Sequence, residues 1–289
     1  MKTRATPTQL STLLKKAFQQ RNLLLPGQAA YRLINGAADQ LAYVTIDVFN
    51  DVFILRTTER SADALIDPLA QILKSEFGAK AVLLKNHNET RRKAGLPLAD
   101  KILKGGLIDN CLSFEESGAR YDFDTSDFDV FSLEDRPMRA FLRTFYPTTI
   151  ACLAATPRAE GLLPCDHQNP TLHHIPLAGL DFSALTSRIR ETSHPTNLFD
   201  IGVLDLSLFK ISPEHRKASF HLLHGFLKQI RADGYLHIKT QNWQETNKIV
   251  SMIATKGRRQ VKLMTLENSG ADFAVAAGLT SSLYITFLV

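Results

Sequence analysis

One acidic side chain closes an apolar run in the stretch FDIGVLDLSLFK, residues 199–210. The residues before Asp205 are mostly apolar, as in a buried strand, and the pair Ser212-Pro213 that follows is typical of a helix start. A strand of this kind delivers the carboxylate at its end to the edge of a sheet, where open α/β proteins bind their ligands. Asp205 is therefore the first candidate for a site residue.

Possible metal ligands crowd the stretch CDHQNPTLHHIP, residues 165–176. Imidazole and thiolate groups are good zinc ligands. The stretch has no standard ligand spacing, however, and His173 and His174 would point to opposite faces of a strand. We predict no metal site. The sequence also lacks the GxGxxG, Walker A and GxSxG motifs.

The composition is typical of a soluble globular protein with a sizeable core. Of 289 residues, 44% are hydrophobic and 22% are charged, which suits one large domain or two of ordinary size. No apolar run reaches the roughly 18–20 residues that a membrane span needs, and the first ten residues show no secretory signal. The three cysteines indicate no disulfide framework. We expect a cytoplasmic protein, and the oligomeric state is left open.

The net charge of +5 is compatible with a polyanionic partner. A mildly basic, solvated surface is the alternative, and charge alone favours it. The basic residues that cluster along the chain are Arg91, Arg92, Lys93, Lys101, Lys104, Arg136, Arg139, Arg143, Lys256, Arg258 and Arg259.

The first hundred residues predict a small α+β domain, which we place at residues 1–105. TPTQLSTLLKKAFQQR predicts a helix capped by Thr6. LAYVTIDVFNDVFILRTT predicts two strands joined at Asn50-Asp51. SADALIDPLAQILKSEFG predicts one helix that is capped by Ser61 and ends at Gly78, and AKAVLLKN predicts another strand.

Residues 106–135 predict a β-hairpin linker with its turn at Glu116-Ser117-Gly118, and residues 136–289 predict an α/β domain with a mostly parallel sheet. One helix is expected from the Ser212 cap to Gly234, and another from the Asn242 cap to Gly257. No helix separates the last two strands, so one of them is expected to be antiparallel to the rest. The predicted strands are 148–155, 173–178, 199–205, 235–239, 259–266 and 282–289, and a further helix is predicted at 181–191.

Four stretches, in their order along the chain, resemble segments of one known family. They are AYRLINGAADQLAYVTIDVFNDVFIL, LEDRPMR, FDIGVLDLSLF and LENSGADFAVAAGLTSSLYITFLV. Together they make the chain resemble the bacterial large-subunit ribosomal RNA methyltransferases of the cytosine-C5 type, which are class I S-adenosylmethionine (SAM)-dependent methyltransferases. The resemblance implies a Rossmann-like α/β sheet, a smaller α+β domain of the substrate- or RNA-binding type, SAM as cofactor and ribosomal RNA as partner. The family's N-terminal PUA module is expected to be missing, because the first helix starts almost at once.

The resemblance also carries site residues over to this chain. Arg136 and Arg139 fall on the two arginines of the family's second segment, and together with Arg143 they are the RNA-binding residues that we predict. Asp205 and Phe209 fall on the acid and the aromatic residue of the family's Asp-Pro-Pro-x-Phe segment, which makes them the predicted catalytic residues.

Four residues are the cofactor contacts that the resemblance implies. Ala154 lies in the turn after the first strand of the sheet, where the family has glycines close to SAM. Asp166 is a candidate for the ribose hydroxyls. Asp181 and Phe182 follow the strand that the resemblance counts third, where an acid accepts a hydrogen bond from the adenine amino group. The alternative for Asp181 is that it only caps the next helix.

Two departures from the family bear on catalysis. Methylation of cytosine C5 needs a cysteine thiolate that attacks C6 of the base, whereas the strand YLHIKTQNW ends in Lys239, Thr240 and Gln241. The segment after Asp205 also lacks the family's two prolines. Two functions therefore stay open: a SAM-dependent RNA methyltransferase with an unusual site, or a catalytically inactive methyltransferase-fold protein, a pseudoenzyme, that binds RNA or a protein.

Overall fold

The computed structural model divides the chain into two units. Unit 1 comprises residues 1–128 and 270–279, and unit 2 comprises residues 129–269 and 280–289. No helix in the described part of the chain is long and apolar enough to cross a membrane. The structure describes residues 6–107, 111–125, 132–145, 149–154, 171–176, 198–206, 216–240, 242–257, 262–268 and 283–288.

Unit 1 is built on a five-stranded sheet in the order β1-β2-β3-β4-β5, in which only β3 and β4 are parallel neighbours. Apolar side chains of α1 and α3 pack with those of the sheet into one buried core. The strands are β1 (Ala30–Asn35), β2 (Val44–Phe49), β3 (Val52–Thr57), β4 (Ala81–Lys85) and β5 (Asp100–Gly105), and the helices are α1 (Pro7–Leu24), α2 (Arg60–Asp63), α3 (Ile66–Glu76) and α4 (Glu89–Lys93).

Several predicted boundaries of unit 1 are confirmed. The Thr6 hydroxyl accepts a hydrogen bond from the Gln9 amide at 3.3 Å, and the Gln9 side chain accepts one from the Thr6 amide at 2.8 Å. This reciprocal capping box fixes the start of α1. Strands β2 and β3 are joined at Asn50-Asp51. Gly78 follows α3 with a φ of +67°, a left-handed conformation that suits glycine.

The prediction of one helix capped by Ser61 is wrong. A single turn, α2, ends at Asp63, a separate helix follows it, and neither start is capped by a side chain. The physical reason lies in the tertiary contacts of Asp63. Its carboxylate accepts hydrogen bonds from the Thr57 hydroxyl at 2.6 Å and from the Arg91 guanidinium at 2.7 and 2.9 Å, which hold this turn against β3.

A buried carboxylate on β2 is paired with two arginines. Asp47 is 3% exposed; the Arg32 Nε donates to one of its oxygens at 2.7 Å, and Arg56 donates to the other. Burial alone would raise the pKa of Asp47, but the two guanidinium groups outweigh burial and hold that pKa below its usual range. The pairs tie three neighbouring strands together.

The predicted hairpin is confirmed. Strands β6 (Cys111–Glu116) and β7 (Ala119–Asp124) pair antiparallel. Ser117 and Gly118 at the tip both have positive φ, +52° and +78°, as the twist of a two-residue hairpin turn requires. The Phe114 ring packs edge-on against Phe49 of β2 at 5.2 Å, so the hairpin is anchored in unit 1.

Unit 2 is built on a six-stranded sheet in the order β12-β13-β11-β10-β8-β9. Strands β8 to β11 are parallel neighbours, and β13 pairs antiparallel with both β11 and β12. The expectation that one of the last two strands is antiparallel is confirmed. The strands are β8 (Thr149–Ala154), β9 (Thr171–Pro176), β10 (Phe199–Asp205), β11 (Ile230–Thr240), β12 (Lys262–Asn268) and β13 (Leu283–Leu288), and the helices are α5 (Arg136–Phe145), α6 (Arg216–Leu227) and α7 (Trp243–Gly257).

Helices cover both faces of this sheet. Successive residues of β11 point to opposite faces, and side chains on each face contact a helix. Leu236 and Ile238 point into a buried core that also contains the apolar side chains of α6 and α7. On the other face, the Phe141 ring of α5 stacks on His237 with centroids 4.6 Å apart and contacts Tyr235 edge-on at 5.9 Å.

The helix predicted to run to Gly234 ends earlier. Helix α6 ends at Leu227, and β11 begins at Ile230. The Phe199 amide donates to the Gln229 carbonyl at 2.7 Å, which recruits the segment into the sheet three residues after the helix ends. The predicted cap at Ser212 and the predicted helix at 181–191 lie outside the described residues.

Candidate active-site edge of the parallel sheet

The direction of winding reverses between β8 and β10. Strand β9 lies on the outer side of β8, whereas β11 lies on the far side of β10. At such a switch point the connections leave on opposite sides and open a crevice outside the carboxyl ends of the strands. Leu153 is the register partner of Leu204, so Ala154 and Asp205 lie side by side at the ends of the two strands. The structure therefore brings together two of the predicted site residues.

Asp205 is 6% exposed and lies on the α5 face of the sheet. Its register partner on β11 is Lys239, and register partners of parallel strands point to the same face. The Leu206 amide donates to the Lys239 carbonyl at 2.8 Å, which extends the pairing of the two strands past Asp205. A carboxylate and an ammonium group thus end neighbouring strands on one face.

Two acidic side chains hold the Lys239 ammonium. Its Nζ donates to Asp135 Oδ1 at 2.8 Å and lies 3.2 Å from Glu134 Oε2. The side chains of Lys239 and Asp135 are 6% and 10% exposed, and that of Glu134 is 35% exposed. Both acids belong to the 3₁₀ turn Leu133–Asp135, which leads directly into α5. This cluster, which we call the Lys239 cluster, fixes the turn to the carboxyl end of β11.

His237 lies two residues before Lys239 and is neutral. Burial lowers the pKa of His237 from 6.5 to about 3, although the charge of Asp135 acts in the opposite direction. Its Nδ1 is 2.9 Å from the Thr286 hydroxyl of β13. The imidazole therefore serves packing and the sheet, because a group that stays neutral down to this pH carries no charge into the site.

The end of β11 is joined rigidly to α7. The Asn242 side chain accepts a hydrogen bond from the Glu245 amide at 3.2 Å, so the predicted cap is confirmed. The hydroxyls of Thr240 and Thr246 are 3.1 Å apart. These contacts hold the strand end that carries Lys239.

The three predicted RNA-binding arginines differ in exposure. Arg139 is fully buried, and its Nη1 donates to the Ser132 carbonyl at 2.6 Å. A guanidinium in this position stabilises the turn before α5, so the RNA contact predicted for Arg139 does not fit this structure. Arg136 and Arg143 are half-buried on the same helix.

Three cofactor residues and one catalytic residue of the prediction, namely Asp166, Asp181, Phe182 and Phe209, lie outside the described residues. The strand that we counted third is β9. It pairs directly with β8, so it takes the second position and the count is corrected. Sixteen residues separate the two strands in the chain.

Sequence reasoning missed the Lys239 cluster. Lys239 attracted notice only because it is not a cysteine, and its partner Asp135 lies 104 positions away in the chain. The available signal was the pair of acids in LEDRPMR immediately before an arginine-rich helix. No group of three or more possible metal ligands is found among the described residues.

Comparisons with known proteins agree on the fold. No protein-family model matches the chain. It is 26% identical over 203 residues to a ribosomal RNA large subunit methyltransferase I from Shewanella amazonensis, a match that covers 62% of this chain and 51% of the relative. It is 22% identical over 295 residues to the protein of the same name from Shewanella denitrificans, covering 91% of this chain and 74% of that relative. The chain thus spans about half the length of the first of these relatives.

Solved structures match over the whole chain. A proposed SAM-dependent methyltransferase from Streptococcus mutans superposes with a TM-score of 0.71 at 15% identity, covering 100% of this chain and 83% of that protein. A second structure, described as a methyltransferase complexed with SAH, gives a TM-score of 0.71 at 16% identity over the same shares of both chains. The tRNA m1G37 methyltransferase of M. jannaschii gives 0.56 at 12% identity, with 98% and 79% covered. The chain therefore has the Rossmann-like fold of the class I SAM-dependent methyltransferases.

Proposed function

We propose that this protein is a SAM-dependent RNA methyltransferase whose site lies at the carboxyl ends of β8 and β10. The observation that carries the proposal is the meeting of Ala154 and Asp205 at the switch point of the sheet, the place where open α/β sheets bind their ligands. The names of the two Shewanella relatives, both ribosomal RNA large subunit methyltransferases, support RNA as the substrate.

Three residues of the chain support SAM as the ligand of this edge. A small residue at the end of β8, Ala154, lets a ligand approach the backbone closely. Because β9 takes the second position in the sheet, Asp181 follows the strand next to β8, and we assign it to the ribose hydroxyls rather than to the adenine amino group. When bound, SAM supplies an electrophilic methyl group. Asp205 then orients the accepting atom of the base through a hydrogen bond to its buried carboxylate.

The accepting atom that we propose is a nitrogen or an oxygen, not cytosine C5. A ring carbon needs a covalent nucleophile to activate it. On the strand where the resembling family carries such a nucleophile, this chain has Lys239, whose ammonium is held by Asp135 and Glu134. A protonated amine in this cluster has no free electron pair with which to attack the base, whereas an amine or hydroxyl of RNA brings its own.

The Lys239 cluster also supports a second candidate, the inactive methyltransferase-fold protein that binds RNA or a protein. Three charged side chains fill the end of β11 with contacts to one another. Side chains that contact one another in this way stabilise the fold and need no catalytic role.

Calorimetric titration with S-adenosylhomocysteine and a methyl-transfer assay test the proposal. We expect micromolar binding by the wild type that is lost in Asp181→Ala and kept in Asp205→Asn. Transfer of labelled methyl groups from SAM to bacterial ribosomal RNA should be lost in Asp205→Asn. The matched control is Asp200→Asn, an acid at the opposite end of the same strand that pairs with Arg231 at 2.7 Å; it should bind and transfer like the wild type.

Two outcomes would count against the enzyme. Absence of heat with millimolar S-adenosylhomocysteine removes the cofactor and leaves the second candidate. Equal transfer by Asp205→Asn and the wild type removes the role of Asp205. If the cofactor is not bound, salt-dependent binding of RNA decides between an RNA-binding and a protein-binding module.

A further inference from the structure

Most of the chain's net positive charge lies in one segment of unit 1. Residues 85–105 carry six basic and two acidic side chains, a net charge of +4 out of +5 for the whole chain. The segment comprises the end of β4, the short helix α4 and the edge strand β5. Whether this segment can bind an anionic ligand depends on which of these side chains face outwards.

Arg91, the first arginine of the run RRK, does not face outwards. It is 2% exposed; its guanidinium donates to Asp63 at 2.7 and 2.9 Å, to the Thr57 hydroxyl at 2.9 Å and to the Pro97 carbonyl at 3.0 Å. The hydrogen bonds of Arg91, offset in part by burial, hold the pKa of Asp63 below its usual range. Arg91 therefore fastens α4 to β3 and α2.

The capping of α4 fixes the helix further. The Asn88 side chain accepts a hydrogen bond from the Arg91 amide at 3.0 Å at the start of the helix, and Gly95 follows its end with a φ of +63°. The two residues after Arg91 are exposed, namely Arg92 and Lys93. The backbone that carries these two cations is thus fixed, so binding a ligand does not have to order it.

The adjoining edge strand adds further cations. Lys101 is exposed and Lys104 is half-buried on β5, which has no strand beyond it in the five-stranded sheet. The one acid of the strand, Asp100, is engaged on both oxygens: the His87 amide donates to one at 3.1 Å, and the Lys85 ammonium to the other at 3.4 Å. Asp100 is therefore already used within the segment.

We propose that the exposed cations Arg92, Lys93 and Lys101, which we call the α4–β5 surface, bind the phosphate backbone of RNA. The choice of RNA rests on the proposed function, and the surface itself rests on its charge and its rigidity. Phosphate contacts of this kind position a nucleic acid without reading its sequence. The competing explanation is that lysines on an edge strand only prevent pairing with other sheets.

The test compares two double variants that remove equal charge by the same substitution. Lys93→Gln with Lys101→Gln alters the surface; Lys15→Gln with Lys16→Gln alters the exposed side of α1. The probe is a fluorescein-labelled 20-nucleotide oligouridine, followed by anisotropy between 50 and 200 mM KCl. Two lost phosphate contacts reduce the slope of log K against log salt by about 1.4 for a single strand. Arg92→Gln added to the first variant should reduce it by about 0.7 more.

We expect that slope change in the surface variant and a wild-type slope in the α1 variant. Equal slopes for the two double variants, or a surface variant that aggregates while binding RNA normally, overturn the proposal; the latter outcome assigns the lysines to edge protection. Binding of poly-aspartate that competes with the RNA and is equally sensitive to the variant also overturns it, in favour of an acidic protein partner. Titration of the same variants with S-adenosylhomocysteine keeps this test separate from that of the proposed function, because the cofactor site uses none of these residues.

Discussion

Replacing Lys239 with methionine should destabilise unit 2 by about 3 kcal/mol, because the change leaves a buried carboxylate without its counter-ion. The Asp135 side chain is only 10% exposed and lies 2.8 Å from the ammonium. Removing one partner of a buried pair costs roughly 3–5 kcal/mol. The lower end applies here because Glu134, the other acid, is 35% exposed and is partly solvated when the lysine is gone.

Urea denaturation followed by tryptophan fluorescence measures this loss in the relevant unit. Trp243 is the sole tryptophan of the chain and begins α7 in unit 2, so its signal reports directly on that unit. A double-mutant cycle with Asp135→Asn isolates the pair. We expect a coupling free energy of at least about 2 kcal/mol, since the double variant leaves neither charge unpaired.

The matched control is Lys248→Met on α7. Its ammonium pairs with Glu245 at 2.9 Å but is 61% exposed, and an exposed pair contributes only about 0–1 kcal/mol. A loss at Lys239 no larger than that at Lys248, or additive effects in the cycle, would refute the reasoning. Either result would mean that solvent screens the cluster far more than its burial indicates.

Three further predictions concern protonation and packing. As the pH falls from about 6.5 towards about 3, the unfolded state gains a proton that His237 does not accept in the folded state. The free energy of unfolding of unit 2 should therefore fall by up to about 1.4 kcal/mol per pH unit. His237→Phe should flatten this slope in the same fluorescence assay. The low pKa of Asp47 means that its ion pairs stabilise unit 1 fully above a pH of about 4 and are lost as the pH falls through the folded pKa. Asp47→Asn should remove this pH dependence of the free energy of unfolding, measured by urea titrations followed by far-UV circular dichroism. Gly202→Ala would place a Cβ 2.6 Å from Ile230 Cδ1 and 2.7 Å from the Phe226 ring, so unit 2 should lose about 1–3 kcal/mol, and an unchanged urea midpoint would contradict this packing.

The elements that could be predicted are those that local chemistry decides. The cap at Thr6, the turn at Ser117-Gly118 and the cap at Asn242 each depend on residues three or fewer positions apart. The elements that could not be predicted depend on distant partners. Helix α6 stops before Gly234 because Phe199 recruits the following residues into the sheet, and nothing in the helical pattern itself records that competition.

Some features of the candidate site could likewise be predicted from the sequence, and others could not. Asp205 could be placed at the edge because it ends an apolar run, and Ala154 because the family resemblance puts it in the turn after the first strand; parallel strands end at the same edge. The burial of Arg139 could not be predicted, because an arginine at that helical position looks the same in sequence whether it faces solvent or a carbonyl of the preceding turn. The pairing of Lys239 with Asp135 could not be predicted, because it depends on where the turn before α5 lies against the end of β11.

The charges at the carboxyl edge bear on where RNA can be held. Asp135 and Glu134 hold the Lys239 ammonium, and Asp205 is the register partner of Lys239, so these four described side chains together carry a formal charge of −2. Such a charge favours a cationic ligand, as the sulfonium of SAM is, over a neutral one, and it repels a phosphate backbone. Under the proposed function, affinity for RNA then comes from cations outside this group of four side chains. With Arg139 buried, the concentrated charge of residues 85–105 is the part of the described chain best suited to supply it. Cofactor and RNA backbone would thus be bound through surfaces of opposite charge, and each could be altered by mutation without disturbing the other.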